Sequence, residues 1–442
     1  MQEESFFGSY RENYAYSLGI QAYIYGYPLV LMERTRQLQT ILNPSIQPAL
    51  TAYNVMFYKT INPEFKDVVT PNVDTVYCSA WLDLSQNPVV LYVPDTNDRY
   101  YMVQIMDAYS NTFSSIGRRT TGTKAGRFAI VGPDWKGVLP PGLNAVKSPT
   151  NTAWLIGRVL SKGKDDEEEA VEILKQITLT SLDGSSPYVI KPANKLLLEN
   201  KVEDINAMDF FKTMTDLMIL NPAAGNESFE KQFEHIGIDR TYGFDAGKLD
   251  PDTVAGLNRA AADAFVIISN SLEVINPRFN NGWMIIAGMG TYGDQFLKRA
   301  LVAYMGLGAN LDEDATCPRT FTDNQGNQLN GNYNYVLHFD KDQLPPVEAF
   351  WSVTLYDKDF FLVKNDINRY AIADYTPGLE YNEDGSLDIY IQKCPPANHE
   401  SNWLPAPKEG PDLDFNLVLR MYQPSAKILK GTYEVPGVKR VR

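Results

Sequence analysis

Two aspartates end segments whose alternation is typical of β-strands. Asp74 continues the parity of the residues that "VYCSAWLDL" would turn inward, namely Val76, Cys78, Ala80 and Leu82. Asp107 follows "RYYMVQIM" in the same way, in phase with Tyr101, Val103 and Ile105. Because successive strand side chains point to opposite faces of a sheet, both carboxylates are expected on the inward side, at strand ends. There they could transfer protons or bind the hydroxyl groups of a ligand.

A second interpretation of the same two aspartates is structural. Asp is common at strand ends because its carboxylate accepts hydrogen bonds from the backbone of the turn that follows. A buried acid also fixes a loop when a cation pairs with it. Arg99 and Arg118 lie close enough in sequence to neutralise either acid. The sequence leaves both interpretations open.

An arginine near the C-terminal end suggests a further binding surface. In "DFNLVLRMYQP", Arg420 shares a strand face with Asn416, Val418 and Tyr422, and Trp403 precedes it in "NWLPAP". A guanidinium beside aromatic rings could line a groove for a carboxylate or a sugar. In the alternative interpretation, Arg420 is a surface residue and Trp403 anchors a core.

Other catalytic chemistries find little support in the residue types. The glycines of "GMGTYG" fit the spacing of a dinucleotide site, but no second strand follows, so we expect a glycine-rich turn into a helix. His235, His338 and His399 are far apart and match no zinc motif. No G-x-S-x-G elbow occurs in the sequence. We therefore predict no metal site and no cofactor, although the sequence does not exclude a metal site built from oxygen ligands on distant loops.

The composition narrows the class of protein and its partners. The chain of 442 residues is 44% apolar and 21% charged, which is typical of a soluble globular protein with more than one domain. A net charge of −14 argues against nucleic acid as a partner. No apolar run is long enough to span a bilayer, and "MQEESFFGSYREN" has no signal-peptide pattern. The 3 cysteines form no motif and are expected to be idle or buried thiols.

Residue periodicity divides the chain into three parts. A helix is expected over 6–40, with a kink or break at Gly26 and Pro28. Period-two segments fill about 54–160, helical ones 162–275 and 294–307, and period-two segments return afterwards. The predicted fold class is α+β, with two antiparallel β-sandwich or jelly-roll-like modules. We place these modules at 1–161 and 282–442, joined by a helical segment at 162–281.

Long segments of both β-rich parts resemble a known tandem arrangement. "PNVDTVYCSAWLDL", "PVVLYVPD" and "DRYYMVQIMDAYSNTFSSIGRR" are similar to domain of unknown function 1254. "LPPVEAFWSVTLYD", "DGSLDIYIQ" and "FNLVLRMYQP" are similar to domain of unknown function 1214. The resemblance implies β-rich modules joined by helices, frequent export in bacteria, and oligomers, but no reaction. Cys317 stands where the resemblance leads us to expect an aromatic residue, so no thiol nucleophile is predicted.

The motifs behind this resemblance supply the remaining candidate residues. Besides the two aspartates, we take as candidate ligand-binding residues Asn72, Tyr77, Arg99, Tyr109, Asn111, Trp351, Trp403 and Arg420. Membership of a motif does not distinguish binding from packing.

Two functions from different classes follow from these features. The first is an enzyme acting on a small polar or sugar-like substrate, with Asp74 and Asp107 as acid and base and Arg99 as their charge partner. The alternative is a non-catalytic β-sandwich protein that binds a glycan or a protein through surfaces rich in Tyr and Trp. The 26 tyrosines and 20 phenylalanines also favour a homo-oligomer.

Overall fold

The structure is a computed structural model that describes residues 8–42, 56–58, 62–64, 66, 69–184 and 193–441. It is a mixed helix and strand fold with mostly antiparallel sheets. In the described part of the chain, every helix is too short or too polar to cross a membrane.

The first helix, α1, spans Tyr10–Gln37 and continues as a π-helix over Leu38–Leu42. Its N-cap is Ser9, whose hydroxyl accepts a hydrogen bond from the backbone N–H of Glu12 at 3.1 Å. The helix runs through Gly26 and Pro28, so the expected break does not occur. Gly26 packs against Met214, and any side chain there would collide with it. Residues 6 and 7 of the predicted helix lie outside the described residues.

The N-terminal β-module contains two sheets and one helix. Its elements are β1 (Met56–Tyr58), β2 (Thr75–Asp83), β3 (Val89–Val93), β4 (Tyr101–Asp107), β5 (Thr112–Gly117), β6 (Gly126–Val131), β7 (Asn144–Lys147), β8 (Thr152–Leu160), α2 (Glu167–Lys175) and β9 (Thr178–Ser181). The larger sheet has the order β1-β2-β8-β4-β5 and the smaller one β7-β6-β3-β9. All pairs are antiparallel except β6 with β7. Both sheets contribute to one core, with Val76, Val103 and Leu155 from the larger and Leu91 and Ile130 from the smaller.

A helical region follows and packs on α1. It comprises α3 (Lys195–Glu199), α4 (Ala207–Leu220), α5 (Glu227–Glu230) and α6 (Pro251–Ser269), with 3₁₀ turns at Val202–Asp204, Lys231–Ile236, Ala246–Lys248 and Ser271–Glu273. Asp250 caps α6 by accepting from the N–H of Thr253 at 3.0 Å, and Pro251 occupies the first turn, where its missing N–H has no consequence. Aromatic side chains such as Tyr23, which stacks on Phe210 at 4.0 Å, fill this core.

The C-terminal β-module again has two sheets. Its elements are β10 (Arg278–Asn280), β11 (Trp283–Ile285), α7 (Phe296–Gly306), β12 (Ala315–Thr316), β13 (Arg319–Thr320), β14 (Asn334–Phe339), β15 (Val347–Asp357), β16 (Ala371–Ala373), β17 (Leu387–Gln392), β18 (Trp403–Pro405), β19 (Phe415–Pro424), α8 (Ala426–Leu429) and β20 (Lys439–Val441), with 3₁₀ turns at Lys341–Gln343 and Glu400–Asn402. The larger sheet runs β10-β11-β13-β19-β15-β16, with β12 also on β19, and the smaller β18-β17-β14-β20. Only β17 and β18 pair in parallel among the strands of this module.

The boundaries of the modules differ from those predicted. Strand β9 pairs with β3, so the N-terminal module reaches Ser181 and includes α2, beyond the predicted limit at 161. Strand β10 pairs with β11, which pairs with β13, so the C-terminal module begins at Arg278, before the predicted limit at 282. A four-residue strand such as β9 is too short for its alternation to identify it in the sequence.

The outer faces of the two larger sheets lie against each other. Tyr100 and Met102 of the N-terminal module share a buried cluster with Phe350 and Tyr422 of the C-terminal module. The Tyr100 ring meets Phe350 edge-on, with centroids 5.3 Å apart. The space between these two sheets holds the polar residues described next.

Candidate functional site

The segment just before β2 lies between the two modules. The N–H of Thr70 donates to the carbonyl of Phe360 at 2.8 Å, and the hydroxyl of Tyr356 donates to the carbonyl of Pro71 at 2.7 Å. The backbone N–H of Asp74 donates to the side-chain oxygen of Asn72 at 2.9 Å, which makes residues 72–74 an Asx turn. Asp74 is therefore not a continuation of the strand, and its side chain faces the C-terminal module instead of the core beneath β2.

The carboxylate of Asp74 is fully buried and bound by groups from the other module. It accepts hydrogen bonds from the Ser352 hydroxyl at 2.6 Å and from the Tyr375 hydroxyl at 2.9 Å, and none of its surface is exposed. Burial raises the pKa of Asp74, while the charge of Arg420 and the two hydrogen bonds oppose that rise. Both residues that bind the carboxylate belong to the C-terminal module, so Asp74 joins the two modules.

Asn72 makes a parallel link through its amide. Its Nδ2 lies 2.8 Å from the hydroxyl of Tyr77 and 2.6 Å from the hydroxyl of Tyr422. Tyr77 belongs to β2 and Tyr422 to β19, so one side chain bridges the two large sheets. Three of the candidate residues, Asn72, Asp74 and Tyr77, thus meet at the module boundary.

Arg420 lies in the same region and is buried, with 6% of its surface exposed. Its guanidinium donates to the carbonyl of Thr70 at 2.9 Å and lies 5.6 Å from the centroid of the Tyr356 ring. Arg420 is therefore not a surface residue, and its charge acts on Asp74.

The other candidate acid, Asp107, lies at the opposite end of the same sheet. In the β-pairing, Asp107 faces Ala153, whereas Thr75, next to Asp74, faces Leu160. Seven strand residues separate these positions, or roughly 20 Å. The two acids therefore lie at opposite ends of the sheet, because β2 and β4 run in the same direction and Asp74 precedes β2, whereas Asp107 ends β4.

Asp107 is held in a turn hydrogen-bond network. Its Oδ1 accepts from the backbone N–H of Tyr109 at 2.9 Å and of Asn111 at 2.8 Å, and the Asn111 amide donates to Oδ2 at 3.0 Å. Burial raises the pKa of Asp107, and the hydrogen bonds from Asn111 oppose that rise. The Tyr109 hydroxyl donates to the carbonyl of Asn221 at 3.1 Å, inside the helical core. This arrangement is that of a structural cap.

The remaining candidates are spread over the molecule. Arg99 pairs with Asp166, with Nη2 and Oδ1 2.8 Å apart, and not with either candidate acid. Trp351 packs on Phe339 in the core of the C-terminal module at a centroid distance of 5.5 Å. Trp403 is 7% exposed, and its indole N–H donates to the carbonyl of Gln392 at 2.8 Å. Trp403 is therefore placed as a packing residue.

A cleft of 540 Å³ opens at the module boundary, directly outside Asp74. The N-terminal module contributes Arg99, Tyr100, Arg118 and Lys162, and the C-terminal module Glu348, Phe350, Asp374 and Tyr375. Tyr375 joins the cleft to the interior, since it lines the cleft and donates to buried Asp74. Clefts of this size that combine apolar rings with a few convergent polar groups are typical binding sites.

Asp374 is a carboxyl group of this cleft with a raised pKa. The residue keeps exposed surface in the cleft, but partial burial of its carboxyl group raises the pKa of Asp374 to about 6, with a further rise caused by the charge of Asp74. Sequence analysis missed Asp374 and Tyr375, because they follow β16, which has only three residues. A strand that short carries no readable alternation.

The glycine-rich loop before α7 holds one of the chain's own carboxylates. The backbone N–H groups of Gly288 and Met289 donate to Asp312 at 2.6 and 3.0 Å. Gly288 has φ +68, which favours glycine there. The N–H groups that would have to meet a dinucleotide phosphate are thus occupied by Asp312, as expected for a structural turn. Among the described residues, no three acidic, His or Cys side chains cluster as metal ligands would.

Comparison with known families accounts for both modules. Residues 54–181 match the model of the family described as Protein of unknown function (DUF1254), and residues 314–426 match that of Protein of unknown function (DUF1214). The chain belongs to the tandem DUF1254–DUF1214 family. The tandem order is the one that the resemblance of the sequence predicted.

One solved structure supports the fold of this family member, and a second shows a weaker similarity. The VPA0106 protein from Vibrio parahaemolyticus is 22% identical, with a TM-score of 0.74, and the match covers 97% of this chain and 100% of that one. An uncharacterized protein from Burkholderia cenocepacia is 13% identical, with a TM-score of 0.48, and the match covers 94% of this chain and 87% of that one. No curated protein matches the chain.

The polar cluster between the modules draws on both family domains. Asn72, Asp74 and Tyr77 lie within the DUF1254 match, whereas Ser352, Tyr375 and Arg420 lie within the DUF1214 match. The tandem arrangement is therefore what assembles this cluster, since each domain supplies only one partner of the bonds that join Asp74 to Ser352 and Tyr375 and Asn72 to Tyr422.

Proposed function

We propose that this chain is an enzyme that transfers protons on a small polar, hydroxyl-bearing substrate bound in the cleft between its two β-modules. The observation that carries the proposal is the pair Asp374 and Tyr375 in that cleft. Asp374 is open to solvent with a pKa raised to about 6, close to the pH at which a carboxyl group both gives and takes protons efficiently. Titratable groups with displaced pKa in a cleft are concentrated at catalytic sites.

In this proposal Asp374 transfers the proton, Tyr375 orients the substrate by accepting a hydrogen bond from one of its hydroxyl groups, and Asp74 is a positioning residue. The Tyr375 hydroxyl has its proton directed to Asp74, so its oxygen lone pairs face away from that carboxylate. Burial and the adjacent Asp74 hold the pKa of Tyr375 well above its ordinary value, so the phenol stays neutral near pH 7. Asp74 itself has no exposed surface and touches no substrate. Arg118 and Lys162, on the opposite wall, would contact polar groups of the substrate.

The test uses purified protein and a panel of polyols, sugars and hydroxy acids, with product formation followed by NMR. The wild type is expected to convert one of these classes, with an inflection near pH 6 in its rate profile. Asp374→Asn is expected to lose about 100-fold or more in rate, whereas Asp134→Asn, an exposed acid on a loop of the N-terminal module, leaves it unchanged. Full activity of Asp374→Asn would overturn the proposal.

A second candidate function is non-catalytic glycan binding, favoured by an aromatic surface on the smaller C-terminal sheet. Tyr390 stacks on His399 with centroids 5.3 Å apart, and Tyr381 is 48% exposed. Flat rings on a surface are suited to the apolar faces of sugars. Saturable binding of a sugar without conversion, abolished by Tyr390→Ala and unaffected by Asp374→Asn, would favour this function over the first.

We also propose that copies of this chain associate. Exposed apolar side chains lie on α6, on α7, on β10 and on the segment between α6 and β10. The exposed fraction is 58% for Val266, 70% for Val274, 67% for Phe279 and 43% for Tyr304. Phe265 meets Tyr304 edge-on at 5.5 Å, so the exposed groups of α6 and α7 adjoin. A contiguous exposed apolar patch is typical of an interface. A mass of one chain by light scattering at micromolar concentration would contradict this proposal.

We further propose that each module is a β-sandwich. Each module buries side chains of two sheets in one core, which supports two β-sandwich modules. An experimental structure that showed the two sheets of a module packing on other elements would refute it.

A further inference from the structure

Three arginines from both modules surround the thiol of Cys317. Burial raises the pKa of the Cys317 thiol, the charges of Arg420, Arg319 and Arg158 lower it, and the charge of Asp74 raises it further. Arg158 comes from the outer face of β8, Arg319 from β13 and Arg420 from β19. We call Arg158, Arg319, Arg420 and Cys317 the arginine pocket.

Strand pairing explains why the arginines converge. Arg158 lies directly opposite Tyr77 in the β2–β8 pairing, and its guanidinium lies 5.4 Å from the centroid of the Tyr77 ring. Arg319 lies opposite Val418, so Arg420, two residues further along β19, is its diagonal neighbour on the same face. Diagonal neighbours of this kind have Cα atoms about 7 Å apart, within reach of long side chains.

Among the described residues, the guanidinium groups of the arginine pocket have no carboxylate as a hydrogen-bond partner. Within the described residues, Arg158 donates to the side-chain oxygen of Gln104 at 3.0 Å, Arg420 donates to Thr70 and Thr354, and Arg319 lies over the Phe360 ring at 4.9 Å. None of these partners is a carboxylate. Asp74 supplies one negative charge nearby, and its oxygens are bound by Ser352 and Tyr375.

An excess of buried positive charge is unfavourable unless an anion offsets it. Arg158 and Arg420 are each 6% exposed, and Arg319 is half-buried. Like charges on neighbouring strand positions destabilise a sheet, and desolvated guanidinium groups require hydrogen-bond acceptors. Planar guanidinium groups also match the oxygens of carboxylate, sulfate and phosphate in a bidentate manner.

The arginine pocket is also accessible. Cys317 is exposed although Pro318 next to it is buried and Asp74 and Arg420, both buried, lie close by. Burial raises the pKa of the Cys317 thiol, but the residue keeps exposed surface, so the space beside it is open to water. An anion of small size can therefore reach the guanidinium groups.

We propose that the arginine pocket binds an anionic group, a carboxylate or a tetrahedral oxyanion, held by Arg158, Arg319 and Arg420 between the two family domains. Arg319 is the main ligand, because it has no hydrogen-bond acceptor among the described residues and is the most exposed of the three. Bound anion neutralises the excess charge and links the two modules. This site does not depend on the proton transfer proposed for Asp374, since binding is measurable without turnover.

The test is titration of the full chain with sulfate, inorganic phosphate and succinate, at constant ionic strength against chloride, by calorimetry and thermal unfolding. The wild type is expected to bind one of these anions saturably and to unfold at a higher temperature in its presence. Sulfate or phosphate binding would assign a tetrahedral oxyanion, and succinate binding a carboxylate. In Arg319→Gln the affinity is expected to fall about tenfold or more, which corresponds to one lost charge-assisted pair.

The control is Arg127→Gln on β6, an exposed arginine of the N-terminal module, which is expected to bind as the wild type does. Arg319→Lys keeps the charge but loses the planar fork, and intermediate affinity is expected. The proposal is overturned when the wild type shows no saturable binding of any of the three anions, or when Arg319→Gln binds as tightly as the wild type. If a variant fails to fold, the binding measurement on the wild type alone still tests the proposal.

Discussion

The hydroxyl of Tyr375 donates a 2.9 Å hydrogen bond to the carboxylate of Asp74 across the boundary between the two β-modules. The two residues are 301 positions apart in the chain. Through this bond, a buried acid of one family domain orients a cleft residue of the other. The integrity of the cleft is therefore coupled to the packing of the two modules.

Removing the Asp74 carboxylate is expected to destabilise the whole molecule. Asp74→Ala leaves the hydroxyls of Ser352 and Tyr375 without their acceptor and removes a negative charge that acts on Arg420. Breaking a buried charge network in this way costs about 3 kcal/mol or more. Urea unfolding measures the loss. The matched control is Asp98→Ala, since Asp98 lines the same cleft with its side chain 79% exposed, and a change below about 1 kcal/mol is expected.

Asp107→Ala is expected to lower stability without affecting the cleft. The variant loses the acceptor for the N–H groups of Tyr109 and Asn111, which costs about 1–3 kcal/mol. Asp323 provides a matched control in the other module, because it accepts from the N–H groups of Gln325 and Asn327 in the same way. Similar losses for Asp107→Ala and Asp323→Ala, measured by urea unfolding, indicate a shared structural role. Loss of substrate conversion in Asp107→Ala alone would instead restore Asp107 as a catalytic residue.

The long strands could be predicted from the sequence, but the direction in which the Asp74 side chain points could not. Strand β8, at Thr152–Leu160, coincides with the predicted segment "TAWLIGRVL", since alternation is a local property of nine residues. The direction of the Asp74 side chain depends on the Asx turn at 72–74. In this turn the backbone is not part of the strand, so the alternation of inward and outward side chains does not extend to Asp74. Its partner Ser352 lies 278 positions away, and no local pattern connects them.

The same limit applies to the polar cluster between the modules. The candidates Asn72, Asp74, Tyr77 and Arg420 come together because the two large sheets face each other, which depends on how the modules dock. Asp374, Arg158 and Arg319 belong to the same region but carry no motif of their own in the sequence. Residues whose function depends on contact between distant modules are visible only in the assembled fold.

The raised pKa of Asp374 predicts how the free energy of unfolding changes with pH. The folded protein keeps this carboxyl protonated up to about pH 6, whereas the unfolded chain loses the proton near pH 4. Between these values the folded state binds more protons, so the free energy of unfolding is expected to fall as pH rises through this window and to level off above it. After allowance for solvent screening, the fall is about 1 kcal/mol.

The comparison for this prediction is Asp374→Asn, which cannot titrate. Both proteins are unfolded with urea from pH 4 to pH 8. As pH rises, the free energy of unfolding of the wild type is expected to fall relative to that of the variant. A difference that stays constant over this range would show that Asp374 titrates as it does in the unfolded chain.

Cys317 offers a chemical probe of the arginine pocket. The positive charges around its thiol are expected to favour an anionic alkylating reagent over a neutral one, since opposite charges raise the local concentration of the reagent. The ratio of iodoacetate to iodoacetamide rates is therefore expected to be about threefold or more higher at Cys317 than at Cys394, an exposed thiol elsewhere in the same module. Buried Cys78 is expected to stay unmodified while the protein is folded.

Mass spectrometry of the cysteine peptides measures both rates in one sample. In Arg319→Gln the ratio at Cys317 is expected to fall towards that at Cys394, because one of the three charges that attract the reagent is gone. An anion that occupies the pocket is expected to slow alkylation of Cys317 by either reagent and to leave Cys394 unchanged. Equal ratios at the two thiols in the wild type would mean that the guanidinium charges do not reach the space in front of Cys317, which contradicts the arginine pocket as an anion site.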